Sequence, residues 1–251
     1  MKKDKLMSLD ISIDLCLSSE LSDEELKIRE IILNKLKGNV YNPLQIDTND
    51  KGIIDLYARF GELVDYNEEY MMIARKGLED IEKYKFEEDS SINKNASMDT
   101  EHLRRNFSTA FAWLENINLK EHTLRVFRIA IEEGEEKGNI SKLAILACLF
   151  HDFGKSAMLR EKLLGMESSK TYRKHAAVSK IYIEEELALL FKDYIETINR
   201  ISFLVENHHP SNNRLKMNED ILFIINVDIE ARKEEIGILR NELYKSRSIK
   251  K

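Results

Sequence analysis

The sequence predicts an all-α protein, and two observations support this fold class. Only 9 of the 251 residues are Gly and 2 are Pro, so few residues interrupt regular structure. Leu, Ile, Glu and Lys dominate instead, a composition that favours helices over sheets. With 43% apolar residues, the chain can bury one large core, alone or with an accessory segment.

The first 99 residues are predicted to form a mainly helical accessory region. Residues 9–17 alternate apolar and polar side chains, which is typical of a short strand and is the clearest strand signal in the chain. Residues 23–38 begin with acids and end with bases and a glycine, so they predict an amphipathic helix. Helix is also expected over residues 53–84, with an interruption near residues 61–66.

A polar and nearly core-free segment at residues 86–99 is the best candidate for a domain boundary. We therefore divide the chain into the accessory region, residues 1–99, and a second domain, residues 100–251. The sequence does not indicate a function for the accessory region. In the second domain the hydrophobic pattern predicts helices at residues 102–116, 121–136, 140–152, 174–190, 191–207 and 220–246.

Cysteine content and hydropathy indicate the cellular setting. Cys16 and Cys148 are the only cysteines, which gives neither a disulfide framework nor a CxxC site and fits a reducing compartment. No apolar run approaches the roughly 20 residues that span a bilayer, and the polar start lacks the core of a signal peptide. We expect a cytoplasmic protein without a membrane partner.

Charge is unevenly distributed along the chain. Residues 1–100 carry 14 basic and 22 acidic side chains, whereas residues 101–251 carry 25 and 23. Within residues 151–180 seven basic side chains accompany three acidic ones. Such a positive field suits a phosphate-bearing substrate, although any single lysine there is better explained as part of a solvated helix face.

Histidines and aspartates cluster at the predicted helix ends. The run KLAILACLFHDFGK, residues 142–155, is apolar until His151 and Asp152, which could by themselves be the solvated end of a buried helix. However, five of the six histidines lie at helix ends, and Asp228 interrupts an otherwise apolar helix. A buried carboxylate is costly unless it is paired or binds a cation, and bundle cores commonly hold carboxylate-histidine metal sites. The candidate ligands are His122, His151, Asp152, His175, His208, His209 and Asp228.

The ordered motifs EHTLRV, LFHDFGK, KHAAVS, ENHHP and NVDIEAR resemble the HD superfamily of metal-dependent phosphohydrolases, over about residues 100–240. That superfamily is defined by His, His-Asp and Asp in this order. The additional histidines are similar to its two-metal branches, among them the HD-GYP phosphodiesterases, the dinucleoside tetraphosphate hydrolases and the HD nucleases of CRISPR interference. The resemblance implies an HD-domain helical bundle.

The resemblance also implies a ligand set for two divalent ions. Imidazole and carboxylate ligands suit iron, manganese, nickel or zinc, and such a pair activates a water that attacks a phosphoester. Asp152 is the expected catalytic centre, because a carboxylate with two oxygens can bridge both ions. The first ion would be held by His122, His151, Asp152 and Asp228, and the second by Asp152, His175, His208 and His209.

Basic residues near these motifs are candidates for other roles. The resemblance implies that Lys155, the lysine of an HDxGK sequence, contacts substrate phosphate, although it could also be a surface lysine. Arg173 and Lys174, next to a candidate ligand, are further candidates for phosphate contact. Arg125 and Arg232 are expected to form hydrogen bonds that support the ligands from their own helices.

The leading functional hypothesis is an enzyme, a metal-dependent phosphohydrolase of the phosphodiesterase or nucleotidase type. It would hydrolyse a phosphoester or phosphoanhydride of a nucleotide or cyclic nucleotide. The GYP segment that recognises cyclic di-GMP does not follow residues 208–209. The first alternative is a nuclease or relaxase-like protein acting on DNA, which the near-neutral charge of residues 101–251 disfavours. The second is a ligand-sensing signalling module with little turnover.

Overall fold

The protein is all-α in the part of the chain that the computed structural model describes, which is residues 45–92, 113–165, 174–209 and 218–248. Across these ranges an isolated bridge between Ser90 and Asn118 is the only β pairing. No helix in them is long and apolar enough to cross a membrane. The helices are α1 Lys51–Leu63, α2 Glu68–Lys83, α3 Leu119–Lys137, α4 Lys142–Phe150, α5 Ala157–Leu164, α6 His175–Tyr182, α7 Ile195–Glu206 and α8 Glu219–Ser248.

Three predicted elements lie wholly or mostly outside the residues that the structure describes. The strand at residues 9–17 and the helix at residues 23–38 lie outside the described ranges. The helix predicted at residues 102–116 is described only at its end, where Leu114–Asn116 form a 3-10 turn. The remaining predicted helices are present in the structure.

The helices α1 and α2 form where the sequence predicted one interrupted helical stretch. Asp50 caps α1, because its carboxylate accepts hydrogen bonds from the amides of Gly52 and Ile53. The interruption lies at Asp65 and Tyr66, which both have a positive φ of 51°. Asn67 then caps α2 through the amide of Tyr70.

The centre of the bundle is α4. Every residue from Leu143 to Phe150 is buried, because α2, α3, α7 and α8 all pack against this helix. Burial of a Leu, Ile or Phe side chain stabilises a fold by about 1.5–3 kcal/mol, so α4 is held firmly. The residues that follow α4 therefore start from a fixed position.

The tight turn after α4 packs against the start of α6. After α4 the chain forms a 3-10 turn, Phe153–Lys155, in which the Gly154 amide donates to Ser179 Oγ over 2.7 Å. A Cβ atom at Gly154 would lie only 2.1 Å from the carbonyl oxygen of His175. Glycine thus allows the two backbones to approach closely, which places His175 beside the end of α4.

The described part of the accessory region packs against the bundle. Helices α1 and α2 contact α3 and α4, and the compact unit that contains the bundle begins at residue 43. The segment after α2 was expected to be nearly core-free, but Phe86 and Ile92 are buried. The ring of Phe86 packs edge-on against Phe153, at 4.8 Å between centroids. The division of the chain at residues 99 and 100 stays a prediction.

Candidate metal centre

The structure brings all seven predicted ligands together at one end of the bundle. They come from three helices and from the turns that follow α4 and α7, so the site depends on the whole bundle. Six of them are buried, and His209 is partly exposed. His122 lies in the first turns of α3, His151 and Asp152 follow α4, His175 begins α6, His208 and His209 follow α7, and Asp228 lies within α8.

Two groups of three ligands can be distinguished. In the first group, one ligand atom each from His122, His151 and Asp228 lies within 4.8 Å of the others. Within this group, His122 Nε2 lies 3.2 Å from Asp228 Oδ1. The second group, with the same spacing, consists of His175, His208 and His209. Each group by itself is compact enough to surround one cation.

Asp152 lies between the two groups. Its Oδ2 atom is 3.3 Å from His122 Nε2 and 3.2 Å from His151 Nε2, both in the first group. Its Oδ1 atom is 3.1 Å from His175 Nε2, in the second group. Each carboxylate oxygen therefore faces one group, which is the arrangement that a bridging ligand requires.

The buried atoms at this point fit a divalent cation. His122 Nε2, His151 Nε2 and Asp228 Oδ1 in the first group, and Asp152 Oδ1 facing the second group, are buried and make no well-formed hydrogen bond. Each unsatisfied buried polar atom costs about 1–3 kcal/mol, and a cation in each group would satisfy the atoms that face it. Imidazole and carboxylate donors without thiolates suit iron, manganese, nickel or zinc.

In three of the histidines a polar contact at one ring nitrogen, Nδ1, fixes the direction of the other ring nitrogen, Nε2. His151 Nδ1 donates to the Cys148 carbonyl over 2.8 Å, and His208 Nδ1 donates to the Val205 carbonyl over 2.6 Å. His122 Nδ1 lies 2.9 Å from Glu235 Oε1. A histidine that donates through Nδ1 presents the lone pair of Nε2 to a metal.

Glu235 is a buried carboxylate that the sequence analysis missed. It accepts hydrogen bonds from Arg232 Nη1 at 2.8 Å and from Arg125 Nη1 at 2.9 Å, so both predicted supporting arginines reach the site through it. Arg232 Nε also lies 3.8 Å from Asp228 Oδ1. A signal was present, because Glu235 follows Asp228 by two helical turns and so shares its face of α8.

Electrostatics set the protonation of the ligands. Burial alone would raise the pKa of Asp152, but His151, Lys155 and His175 hold it well below its usual range. Burial, with His175 and His151 nearby, lowers the pKa of His208 to about 3. Both side chains are therefore in the form that binds a cation.

His122 differs from these two ligands. Burial and the charge of Arg232 oppose its protonation, but Glu235, Asp152 and Asp228 outweigh them and raise its pKa to about 9. At neutral pH this raised pKa favours the protonated imidazole, whose Nε2 faces Asp152 and Asp228. A bound metal ion would replace this proton, since histidine ligates metals in its neutral form.

The predicted phosphate-contact residues have different surroundings. The Lys155 side chain is only 8% exposed, and its Nζ atom donates to Asp152 Oδ2 at 2.6 Å and to the Ser91 carbonyl at 3.0 Å. Lys174 is exposed at the start of α6. Arg173 lies outside the described residues. Their contact with a substrate stays a prediction.

Comparison with known families gives one finding. Residues 119–238, just under half of the chain, match the family model of the HD domain. HD domains are generally hydrolases and bind divalent metals. The matched range includes all seven candidate ligands together with Glu235. No curated protein and no solved structure gives a significant match to the chain.

Proposed function

Because residues 119–238 form an HD domain, we propose that this protein is a metal-dependent phosphohydrolase of the phosphodiesterase or nucleotidase type. Its substrate is a nucleotide or cyclic nucleotide, and the bond that it hydrolyses is a phosphoester or phosphoanhydride. The observation that carries this proposal is the position of Asp152, whose two oxygens face two separate groups of histidines. Divalent ions bound there supply Lewis acidity toward a phosphoryl oxygen and hydroxide at neutral pH.

The charge of the centre supports an anionic substrate. Three buried carboxylates, of Asp152, Asp228 and Glu235, are balanced by three cationic side chains. The other ligands are imidazoles, which carry no charge when they bind a metal. Divalent ions therefore give the centre a net positive charge, which favours phosphate groups. The cationic side chains are Lys155, Arg232 and Arg125.

Lys155 contacts the candidate ligand Asp152, and we propose that it also contacts the substrate. Its ammonium group has three N–H donors, of which one binds Asp152 and one binds Ser91. We assign the third to a phosphoryl oxygen of the substrate. The lysine would thus hold Asp152 in its bridging orientation and stabilise negative charge on the phosphate.

The burial of the nearby thiol also supports a nucleophile derived from water. The thiol nearest in sequence is Cys148, which is fully buried one turn before His151. Burial raises the pKa of this thiol well above its usual value, so it does not supply a thiolate at neutral pH. The reaction then needs no covalent intermediate on the protein.

The test is a substrate panel with the purified full-length chain. Metal content is measured first, and hydrolysis is then followed with added Mn²⁺ on nucleoside phosphates, cyclic nucleotides, dinucleotides and labelled single-stranded DNA. We expect turnover of a nucleotide that is lost in Asp152→Asn. Cleavage of DNA alone would indicate a nuclease instead, and tight nucleotide binding without turnover would indicate a sensor.

A further inference from the structure

The segment formed by residues 89–92 contacts two cationic side chains of the metal centre. Ser91 is fully buried, and its carbonyl oxygen accepts hydrogen bonds from Lys155 Nζ at 3.0 Å and Arg232 Nη2 at 3.1 Å. Its hydroxyl oxygen accepts a third, from Arg232 Nη1 at 2.8 Å. Lys155 lies 64 residues further along the chain and Arg232 lies 141 residues further.

Both cationic side chains act directly on the acidic groups of the centre. Lys155 Nζ lies 2.6 Å from Asp152 Oδ2, the oxygen that faces the first group of ligands. Arg232 donates to Glu235 Oε2 at 2.8 Å and lies near Asp228, so it supports one ligand and the carboxylate behind His122. Lys and Arg side chains lose much rotamer freedom when they are fixed, and Ser91 fixes both at once.

The 89–92 segment is itself firmly attached to the bundle. The Ser91 amide donates to the Ile117 carbonyl at 3.0 Å, and the Leu119 amide donates to the Asp89 carbonyl at 2.8 Å. The Asp89 carboxylate accepts from the amide of Ala157, the first residue of α5, at 2.9 Å. At its end, Ile92 packs in a small apolar cluster with Leu114 and Ile236. The segment is anchored near the start of α3, the helix that carries His122.

We infer that the 89–92 segment is a positioning element of the metal centre, with Ser91 holding Lys155 and Arg232 against Asp152 and Glu235. For catalysis, this inference rests on the proposed function. For metal binding, it rests on the geometry alone. The part of the chain before the HD domain thereby contributes to the site without supplying a ligand. Loss of an outer hydrogen-bond partner of a metal site typically lowers metal affinity or activity by roughly 10–100-fold.

Ser91→Ala in the full-length chain removes the hydroxyl that Arg232 binds and keeps the backbone. We expect Mn²⁺ affinity, titrated by EPR without substrate, to fall by about 10-fold. Ser141→Ala is the matched control, because Ser141 lies outside the 89–92 segment, at the opposite end of α4 from His151, and its side chain makes no capping hydrogen bond. This control should keep Mn²⁺ affinity within about twofold of the original chain. Ser91→Thr, which retains the hydroxyl, should restore most of the lost affinity.

A second measurement compares the effect of Ser91→Ala in the original chain with its effect in an Arg232→Lys background. A lysine cannot donate to Ser91 and Glu235 in the forked geometry of a guanidinium, so Ser91→Ala should have little additional effect in this background. A Ser91→Ala chain that melts earlier but binds Mn²⁺ with unchanged affinity would show a merely structural role and overturn the inference.

Failure of this inference and failure of the proposed function give different results. A chain that hydrolyses no nucleotide, yet loses Mn²⁺ affinity in Ser91→Ala, would refute the proposed function and support the positioning role. A nucleotide hydrolase whose Mn²⁺ affinity and kcat are the same with Ala at position 91 would refute the positioning role alone.

Discussion

His122 Nδ1 and Glu235 Oε1 lie 2.9 Å apart, and both side chains are fully buried. The carboxylate orients the imidazole so that Nε2 faces Asp152 and Asp228, at 3.3 and 3.2 Å. It also lies between the guanidinium groups of Arg125 and Arg232. One acidic side chain thus links a candidate metal ligand to the buried guanidinium of Arg232 and to the partly buried guanidinium of Arg125.

Replacing this carboxylate should weaken metal binding. Glu235→Gln removes the carboxylate that pairs with the buried Arg232 and the partly buried Arg125, and it removes the anion that orients His122. We expect Mn²⁺ affinity to fall by roughly 10–100-fold, measured by calorimetric titration. Glu234→Gln is the control, because Glu234 is 40% exposed and pairs with Arg128 on the surface. Equal effects of the two substitutions would contradict the role given to Glu235.

Removal of metal should destabilise the fold. An ion that binds only the folded state at 100 times its Kd stabilises it by about 2.7 kcal/mol. For a domain of this size such a change corresponds to a Tm shift of about 5–10 °C. We therefore expect a lower Tm in EDTA than in Mn²⁺, measured by calorimetry. Asp152→Asn should lose most of this difference, and equal Tm values for the original chain in both conditions would refute a specific ion site.

Lys155→Met should affect the metal-free protein more than the loaded one. In the metal-free state the buried Lys155 ammonium, 8% exposed, compensates the charge of Asp152. Breaking a buried ion pair by removing one partner costs about 3–5 kcal/mol, but a bound cation would take over this compensation. Urea denaturation in EDTA and in Mn²⁺ measures both free energies of unfolding.

Lys174→Met is the control for that experiment, because Lys174 is exposed at the start of α6. It should leave both free energies of unfolding within about 0.5 kcal/mol of the original chain. A loss of stability in Lys155→Met that is the same with and without Mn²⁺ would argue against its role beside Asp152.

The helices and the positions of the candidate ligands at helix ends could be predicted from the sequence because both depend on local signals. The apolar run of α4 and the histidines at helix ends are visible as patterns of neighbouring residues. Most partners of Ser91 and Glu235 lie 64 to 141 residues away in the chain, and the helix face that Glu235 shares with Asp228 was the one local signal for either role. In a chain with 33% charged residues, the sequence around a buried Glu on a long helix does not distinguish it from an exposed Glu.

A second buried contact joins helix α2 to α6. The Tyr182 hydroxyl donates to Asp80 Oδ2 at 2.5 Å, and both side chains are at most 1% exposed. Lys76 pairs with the other oxygen of Asp80, so this carboxylate has partners from both α2 and α6. The attachment of α2 therefore includes a charged hydrogen bond besides apolar packing.

Tyr182→Phe removes only the hydroxyl and keeps the ring, which packs against Phe150 and Phe153. A hydrogen bond to a charged group contributes about 1.5–3 kcal/mol, so we expect the free energy of unfolding in urea to fall by that amount. Tyr84→Phe is the control, since the Tyr84 hydroxyl only accepts from the half-exposed Lys162 at 2.8 Å. Its effect should stay below about 1 kcal/mol. If Tyr182→Phe were as stable as the original chain, packing alone would hold α2 in place.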